Sequence, residues 1–355
     1  MSIAKEMDAL VLQAPNDFSV TRVPVPEPAA MELLCRVDST FICGTDPHIM
    51  AGEYPGFWPQ AFPHLMGHEW AGTVVALGTH TERFGWKVGD RVAGTSHNGC
   101  GYCMKCRRGQ YNLCENYGDQ TLHNHYGHNA PGCYADYVVH NMRCLIRIPD
   151  EMPIEIAAGI DPISIAMHTV KRANIRPGSP VVVLGSGSMG LYALQCAKVL
   201  GAGRVIVVGS GQRLDIAREI GADDVVDYRK NDSVKEVLWL LGGRGAPSVI
   251  ECAGTNASIQ NSIEMTDKGG TISIIGIPVD PVAINVKKIV LDEIDFRGAR
   301  ANQNEQEEVI PMMMDGRIQT KPLWTHTFPL KQFDDALNTF LSREGGAVKV
   351  AVQPN

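Results

Sequence analysis

Short apolar runs on either side of a proline-rich segment characterise the first part of the chain. Apolar runs at 9–12 and 33–37 flank the segment 23–28, in which every second residue is proline. Because proline cannot donate a hydrogen bond to a β-ladder, this spacing is typical of short strands in an irregular antiparallel barrel. The stretches 72–78 and 88–93 continue the pattern, so we expect a mainly β first domain.

A strand–helix alternation characterises the second half. The run 181–184 is continuously apolar, as a parallel strand buried on both faces requires. A helical segment at 191–200 and a second apolar run at 205–208 follow it. Four more strands, with helices between them, are predicted at 224–226, 248–251, 271–275 and 294–297. Six strands in this order predict a doubly wound parallel sheet and therefore an α/β fold.

A glycine-rich turn joins the first of these strands to its helix. It has the pattern G-x-G-x-x-G and includes Gly185, Gly187, Ser188, Met189 and Gly190. The glycines let the backbone approach a pyrophosphate, and the helix N-terminus supplies amide donors. Because the turn lies between a strand and a helix, it predicts a dinucleotide-binding site.

Metal-type donors gather between residues 43 and 69. They are a thiol, a hydroxyl, two carboxylates and two imidazoles: Cys43, Thr45, Asp46, His48, His68 and Glu69. Thiolate, imidazole and carboxylate together suit zinc held by three protein groups, with one position left open. A buried cysteine and structural histidines are the alternative at this point.

Four more cysteines have the spacing of a separate metal site. Cys100, Cys103 and Cys106 have two residues between each pair, and Cys114 follows after seven more. Four thiolates fill a tetrahedron and leave no position for substrate, so the spacing predicts a structural zinc site. Unrelated free or disulfide-bonded cysteines are the alternative.

A histidine-rich segment, 122–128, contains His123, His125 and His128. No thiol or carboxylate accompanies it at ligand spacing. We therefore expect a surface loop or part of a substrate cleft rather than a second metal site.

Charge and apolar content limit the partners. The 355 residues carry a formal net charge of −7, which argues against nucleic acid or an anionic membrane as a partner. No run approaches the ~18–20 apolar residues that span a bilayer. The N-terminal residues lack the basic and apolar regions of a signal peptide. We expect a cytoplasmic protein.

Taken in order along the chain, these motifs resemble the zinc-dependent medium-chain alcohol and polyol dehydrogenases. The matching residues are Cys43-Gly44-Thr45-Asp46 with His48, Gly67-His68-Glu69, the four spaced cysteines and the Gly185–Gly190 turn. The resemblance implies a GroES-like irregular β-barrel catalytic domain and a doubly wound Rossmann domain. The expected ranges are 1–155 for the catalytic zinc domain, with its structural-zinc lobe at 97–116, 156–300 for the dinucleotide-binding domain, and 301–355 for a return to the catalytic domain.

The resemblance also implies roles for the first cluster. Cys43 and His68 match two ligands of the catalytic zinc, and Glu69 matches an acid that binds the metal or approaches it. Asp161, next to Pro162 at an expected break in a helix over 156–173, occupies the position of the third ligand. Polyol-type relatives usually carry glutamate there, so the shorter aspartate is a departure.

Three neighbouring residues match a proton relay and its support. Thr45 matches the hydroxyl that takes the alcohol proton, His48 the imidazole that passes it to solvent, and Asp46 the acid that orients His68. A helix-capping Thr45 and a surface His48 are the alternatives.

The end of the second Rossmann strand bears on cofactor choice. An acid there would hold a ribose 2′-hydroxyl, but the chain has Gly209 and Ser210 instead. With Arg213 and Tyr228 as possible phosphate and adenine contacts, this pocket resembles that of NADP-using relatives. We expect NADP(H) in preference to NAD(H), although Gly211 lies where some relatives have a phosphate-binding arginine.

The predicted activity is hydride transfer between a secondary alcohol or polyol, or its ketone or aldehyde, and a nicotinamide cofactor. A threonine- or formaldehyde-type dehydrogenase on the same scaffold is one alternative, and a non-catalytic NADP(H)-binding regulatory protein is another. The aromatic loop 53–58 either lines the substrate cleft or packs in the core. The resemblance further implies a homodimer or homotetramer, with 271–276 and its neighbours as candidates for the edge that pairs.

Overall fold

The computed structural model describes residues 3–354, and this part of the chain forms two compact units. One unit contains the residues up to Asp161 together with those from Trp324 onward, and the other is Pro162–Leu323. These limits differ from the sequence-based ranges, because 156–161 falls with the first unit and 301–323 with the second.

Side-chain contacts explain why 301–323 belongs with the second unit. The buried imidazole of His168 lies with its Nδ1 3.0 Å from Glu305 Oε1. The Gln195 side chain donates to the Gln319 carbonyl at 3.1 Å and accepts from the Gln319 N–H at 2.7 Å. Such long-range polar contacts leave no trace in local sequence pattern.

The first unit consists mainly of short strands. In chain order its elements are β1 (Glu6–Ala14), β2 (Asp17–Pro24), β3 (Glu32–Phe41), α1 (Asp46–Met50), β4 (His64–Leu65), β5 (Glu69–Leu77), β6 (Arg91–Gly94), α2 (Met104–Arg107), β7 (Tyr137–Asn141), β8 (Leu145–Arg147) and α3 (Ile154–Ala157). The helix α4 (Ile160–Arg172) then leads into the second unit.

The break in this helical region lies earlier than expected. Helix α3 ends at Ala157 and α4 begins at Ile160, so Asp161 and Pro162 occupy the first turn of α4. Proline is tolerated there because the first N–H groups of a helix have no intrahelical acceptor.

The second unit alternates strands and helices. Its elements are β9 (Pro180–Leu184), α5 (Ser188–Val199), β10 (Arg204–Gly209), α6 (Arg213–Glu219), β11 (Asp224–Asp227), α7 (Ser233–Leu240), β12 (Ala246–Glu251), α8 (Asn256–Glu264), β13 (Thr266–Ile274), α9 (Val286–Leu291), β14 (Asp295–Gly298) and α10 (Gln306–Met314). The chain then returns through β15 (Trp324–Pro329), α11 (Phe333–Ser342) and β16 (Lys349–Gln353).

A six-stranded parallel sheet forms the centre of the second unit. Its strand order is β11-β10-β9-β12-β13-β14, which confirms the doubly wound α/β prediction. Apolar residues on its strands, including Val182, Ile206, Val249 and Ile272, are buried in one core cluster. Of the predicted edge region, 271–274 lies in β13, between β12 and β14, and the edge strand is the neighbouring β14.

Two antiparallel-rich sheets form the first unit. One has the order β2-β1-β4, and the other has the order β15-β16-β3-β5-β6-β8 with β7 also paired to β3. In the larger sheet Phe41 of β3 faces Glu69 of β5 on one side and Ala351 of β16 on the other. The end of β3 is therefore enclosed by the start of β5 and the middle of β16.

No helix in residues 3–354 is both long enough and apolar enough to cross a membrane.

Candidate active site

Three predicted metal ligands meet where β3 ends and β5 begins. Cys43 follows β3, while His68 and Glu69 lie at the start of β5. One potential ligand atom from each of the three lies within 4.8 Å of the others. A sulfur, an imidazole nitrogen and a carboxylate oxygen at this separation are a donor set that fits zinc.

Asp161, the fourth predicted ligand, does not join the other three. Its side chain is buried, with 1% of the residue exposed, in the first turn of α4. It is not part of the group of donors that converges within 4.8 Å among the described residues. Its role as a zinc ligand stays a prediction.

Asp46 is fixed by two donors and faces His68. Its Oδ2 accepts hydrogen bonds from the Cys43 N–H at 2.8 Å and from the Tyr134 hydroxyl at 2.6 Å. Its Oδ1 lies 3.6 Å from His68 Nδ1, and both side chains are buried. The carboxylate is thus held in place beside one edge of the His68 ring. Sequence reasoning did not identify Tyr134, which lies 88 residues from Asp46.

A buried lysine neutralises the second acid of the site. Lys349 Nζ forms an ion pair with Glu69 Oε2, and the two side chains are 0% and 2% exposed. The same ammonium group lies 3.5 Å from the Ile42 carbonyl. The sequence analysis missed Lys349, although a single lysine in the apolar strand β16 was a detectable signal.

The predicted relay residues have defined partners. Thr45 precedes α1 but makes no side-chain capping hydrogen bond, and its hydroxyl lies 3.4 Å from Cys43 Sγ. His48 is partly exposed, and its Nδ1 is hydrogen-bonded to Glu53 Oε2. The capping alternative for Thr45 is therefore not observed, and Glu53 is a partner that the sequence did not reveal.

Burial and the negative charge of Glu69 raise the pKa of Cys43 above its usual value, while Lys349 acts in the opposite direction. A thiolate is therefore costly here without a further cation. A bound divalent ion inverts that preference, because metal coordination stabilises the deprotonated sulfur.

The four spaced cysteines converge in the loop around α2. Their ligand atoms lie within 4.8 Å of one another. The sulfurs of Cys100 and Cys106 are 3.9 Å apart, and those of Cys103 and Cys114 are 4.0 Å apart. Zinc–sulfur bonds of about 2.3 Å give a tetrahedron with edges of about 3.8 Å, so the cage fits zinc.

Backbone N–H groups stabilise the thiolate form of two of these cysteines, Cys100 and Cys103. Burial opposes ionisation of Cys100, but N–H groups of Cys103 and Tyr102, 3.3 and 3.4 Å from its sulfur, lower its pKa to about 6. The N–H of Cys106 likewise lowers the pKa of Cys103. Burial raises the pKa of Cys114 to about 12, so binding metal there releases a proton.

The three histidines of the segment 122–128 are buried, which corrects the expectation of a surface loop. His123, His125 and His128 are all at most 4% exposed. The segment does not contribute to either donor group found among the described residues. Its rings pack on each other and on His68 instead.

The aromatic loop 53–58 is divided between core and surface. Trp58 is buried and packs edge-on against His128 at a ring-centroid distance of 4.7 Å. Phe57 is 43% exposed. The core interpretation thus holds for Trp58.

The glycine-rich turn has the close packing that a dinucleotide cradle requires. Gly185 directly follows β9 with φ +111°, and a Cβ there would lie 3.2 Å from the Ala253 nitrogen. A Cβ on Gly190 would lie 1.8 Å from the Gly185 carbonyl oxygen. The backbone of Gly187, Ser188 and Met189 then begins α5 with free N-terminal amides.

Polar groups without an acid lie at the end of β10. The Ser210 hydroxyl donates to the Tyr228 oxygen at 3.2 Å, and the Ser210 N–H lies 3.4 Å from Ser186 Oγ. Arg213 begins α6, and its Nη1 lies 4.0 Å from where a Cβ on Gly187 would be. The structure thus brings Ser210 and Tyr228 into contact and sets Arg213 beside the glycine turn.

Glu251, at the end of β12, organises the loop that follows it. Its Oε1 accepts from the N–H groups of Ala253 and Gly254, both at 2.9 Å, and from Ser258 Oγ at 2.7 Å. Burial raises its pKa above the usual value. The sequence pattern placed Glu251 in a strand but did not indicate this role at the site.

Comparisons with known proteins agree with this geometry. Residues 29–150 match the family described as alcohol dehydrogenase GroES-like domain, and residues 188–315 match the family described as zinc-binding dehydrogenase. A sorbitol dehydrogenase of Bacillus subtilis is 32% identical over 356 residues, covering 100% of this chain and 99% of the relative.

Two solved structures are similar over the same length. A putative zinc-binding dehydrogenase from Sinorhizobium meliloti, bound to NADP, is 30% identical with a TM-score of 0.89, covering 99% of this chain and 100% of that one. An alcohol dehydrogenase from Escherichia coli, complexed with NADH, is 26% identical with a TM-score of 0.89, covering 99% and 100%.

The resemblance inferred from the four motifs, the predicted fold and the enzyme class are confirmed together. A nicotinamide cofactor and a small-molecule substrate follow from the same relationship. The chain belongs to the zinc-dependent medium-chain alcohol and polyol dehydrogenases and is a zinc-containing, NAD(P)-dependent oxidoreductase.

Proposed function

We propose that this enzyme reversibly oxidises a secondary alcohol or polyol at a zinc site formed by Cys43, His68 and Asp161, with Glu69 as an additional or alternating ligand. The observation that carries the proposal is the convergence of the Cys43, His68 and Glu69 donor atoms within 4.8 Å. The four-cysteine cage is proposed to hold a second, structural zinc.

The bound groups would supply a Lewis acid for the alcohol oxygen and a hydride acceptor. The chain's own residues would manage the proton. Thr45, whose hydroxyl lies beside Cys43 Sγ, would accept it from the alcohol, and His48 would pass it outward. The hydrogen bond from His48 Nδ1–H to Glu53 would leave the other ring nitrogen available as an acceptor.

Glu69 could pair either with Lys349, as observed, or with the proposed zinc ion. Its Oε2 is held by Lys349, so the carboxylate enters the zinc site with its charge largely compensated. Movement of Glu69 from lysine to metal would change the net charge around the alcohol oxygen. Asp46, with Oδ1 3.6 Å from His68 Nδ1, would be an electrostatic partner of that ring.

NADP(H) is the proposed cofactor. The absence of an acid at Gly209 and Ser210 removes the repulsion that a 2′-phosphate would otherwise meet. Ser210, Tyr228 and Arg213 offer two hydroxyls and a guanidinium near that position. The similar Sinorhizobium meliloti structure contains NADP, while the Escherichia coli one contains NADH.

Steady-state kinetics with both cofactors test this proposal. The substrate panel should contain sorbitol, 2,3-butanediol, 2-propanol, L-threonine and formaldehyde. We expect kcat/KM to be higher with NADP⁺, and highest for a polyol or secondary alcohol. A clearly higher kcat/KM with NAD⁺ would refute the cofactor assignment, and turnover of L-threonine or formaldehyde alone would refute the substrate class.

We further propose that the protein forms a homodimer or homotetramer and works in a reducing compartment such as the cytoplasm. The edge strand β14 and the exposed apolar side chains of α9 support assembly through the second unit. None of the ten cysteines, all of them among the described residues, forms a disulfide, as expected in a reducing compartment.

A further inference from the structure

The His68 ring packs against another imidazole, that of His128. The ring of His128 lies 4.4 Å from that of His68 between centroids, at an interplanar angle of 48°. Both residues are 4% exposed, so the contact is made in the interior. Trp58 packs on His128 from a second direction, at 4.7 Å.

His128 is itself backed by two more rings, which together form a histidine stack of His97, His125 and His128. The His125 and His128 rings are nearly parallel, 3.6 Å apart at 8°. The His97 and His125 rings are 3.8 Å apart at 19°. A stack this close leaves the His128 ring little room to move away from His68.

Hydrogen bonds fix the orientation of the rings in the stack. The Nδ1–H of His128 donates to the Tyr126 carbonyl at 3.2 Å. His125 Nδ1 shares a hydrogen bond of 2.8 Å with the Tyr117 hydroxyl, and His97 Nδ1 shares one of 3.2 Å with His123. Each ring is therefore anchored at an edge as well as at a face.

The backbone turn that carries His125 and His128 is closed and packed directly on the metal-site strand. The N–H groups of His128 and Asn129 donate to the His125 carbonyl, and the His125 N–H donates to Asn129 Oδ1. Gly127 has φ +76°, and a Cβ there would lie 2.2 Å from the Gly67 oxygen and 2.9 Å from His68 Cβ. Only glycine permits so close an approach to His68.

The two restraints on His68 act at different places on its ring. Asp46 faces the ring edge, but Oδ1 and Nδ1 are 3.6 Å apart, which is too long for a hydrogen bond. A contact of this length restrains rotation of the His68 ring about its Cβ–Cγ bond only weakly. The tilted ring contact with His128, at 4.4 Å between centroids, restrains that rotation.

We propose that His128, supported by His125 and His97, is a positioning residue that holds the His68 ring in its metal-binding orientation. This inference rests on the proposed role of His68 as a catalytic zinc ligand. Loss of the His128 ring should loosen the metal at that site and leave the four-cysteine site unchanged.

Metal release and a cobalt spectrum test the inference on the full-length, metal-loaded enzyme. The variants are His128→Ala, which removes the ring, His128→Phe, which restores an aromatic face, and His128→Leu, which fills volume without one. His140→Ala is the matched control, because His140 is a buried histidine stacked on Tyr126 rather than on His68.

For His128→Ala we expect about 10-fold faster release of the catalytic zinc to a chelator, as for loss of an outer-shell partner of a ligand. Its cobalt-substituted form should show altered ligand-field bands at the site with one sulfur. His128→Phe should restore both properties, and His140→Ala should alter neither. Slow release from the four-cysteine site serves as an internal reference in every variant.

Wild-type release and spectra in His128→Ala would overturn the inference while leaving the zinc site itself intact. If the alanine variant does not fold, equal release from the Leu and Phe variants would overturn it. A wild-type enzyme that binds metal only at the four cysteines would refute the proposed zinc site, and with it the inference.

Discussion

Single residues set the charge of the proposed zinc site, and the buried ion pair of Glu69 and Lys349 is the clearest example. Both side chains are buried, and they are separated by 280 residues in the chain. Local pattern identified Glu69 because it sits beside His68 in a family-like motif. It could not identify Lys349, which reaches Glu69 because β16 and β5 pair with the two sides of β3. Nor could it identify Tyr134, whose hydrogen bond to Asp46 spans 88 residues.

Replacing Lys349 by methionine should destabilise the fold. The change leaves Glu69 buried without its cation, which typically costs about 3–5 kcal/mol of unfolding free energy. The double variant Lys349→Met with Glu69→Gln removes both charges and should recover part of the loss. Urea unfolding of the metal-free proteins, in which no zinc ion can replace the lysine beside Glu69, measures the difference. Equal stability of the single variant and the wild type would show that the ion pair contributes nothing.

Buried histidines should make the enzyme sensitive to acid. Burial lowers the pKa of His140 to about 3, whereas an unfolded histidine titrates near 6.5. Below about pH 6.5 the unfolded chain binds a proton that the folded chain does not, so stability falls as the pH falls. The slope from this one residue approaches about 1.4 kcal/mol per pH unit.

The variant His140→Phe isolates this effect. Its unfolding free energy, measured by urea at pH 6.5 and 5.5, should fall by about 1 kcal/mol less than that of the wild type. An identical fall in both proteins would mean that His140 is not the residue that takes up the proton.

At the scale of elements, the strand–turn–helix unit was the part most fully predictable from sequence. The apolar run at 181–184 and the glycine spacing are local signals, and they correspond to β9 and the start of α5. The histidine-rich segment was misjudged for the opposite reason. Polarity predicts exposure, but these imidazoles are buried because they satisfy each other through stacking and hydrogen bonds.

Two glycines of the turn should respond differently to alanine. Gly190→Ala would place a Cβ 1.8 Å from the Gly185 carbonyl, so this variant should fold poorly or not at all. At Gly187 the nearest atom to a new Cβ is 4.0 Å away, so Gly187→Ala should fold normally and only weaken dinucleotide binding.

Thermal unfolding and nucleotide titration of the two variants separate the effects. A stable Gly190→Ala protein would show that helix α5 does not depend on this close packing. Unchanged nucleotide affinity in Gly187→Ala would argue against a pyrophosphate at the turn.

At the scale of the whole molecule, the sequence pattern predicted the mainly β first unit and the parallel sheet of the second unit. It also predicted that the C-terminal tail returns to the first unit. It did not give the positions at which the units divide, because His168–Glu305 and Gln195–Gln319 contacts are long-range. It located the sheet edge only as 271–276 and its neighbours, since strand order in a parallel sheet depends on crossover geometry rather than on any single strand.

The edge strand β14 and its neighbour α9 lead to a specific prediction about assembly. Phe296 on β14 and Val290 and Leu291 on α9 are exposed apolar residues of the second unit, at 37%, 65% and 69%. We expect the double variant Val290→Asp with Leu291→Asp to dissociate the oligomer, because charges would replace apolar surface. Light scattering gives the mass in solution. An unchanged mass would exclude α9 from the interface, and a monomeric wild type would contradict the oligomer itself.

The most direct test of the zinc site is metal content per chain, measured together with alcohol oxidation, for the wild type, Cys43→Ser, Asp161→Ala and Cys106→Ser. We expect about two zinc ions in the wild type. The first two variants should hold about one and lose turnover, while Cys106→Ser should lose the other ion. Two zinc ions and full activity in Asp161→Ala would leave Cys43, His68 and Glu69 as the ligands. Two zinc ions and full activity in Cys43→Ser would contradict the site altogether.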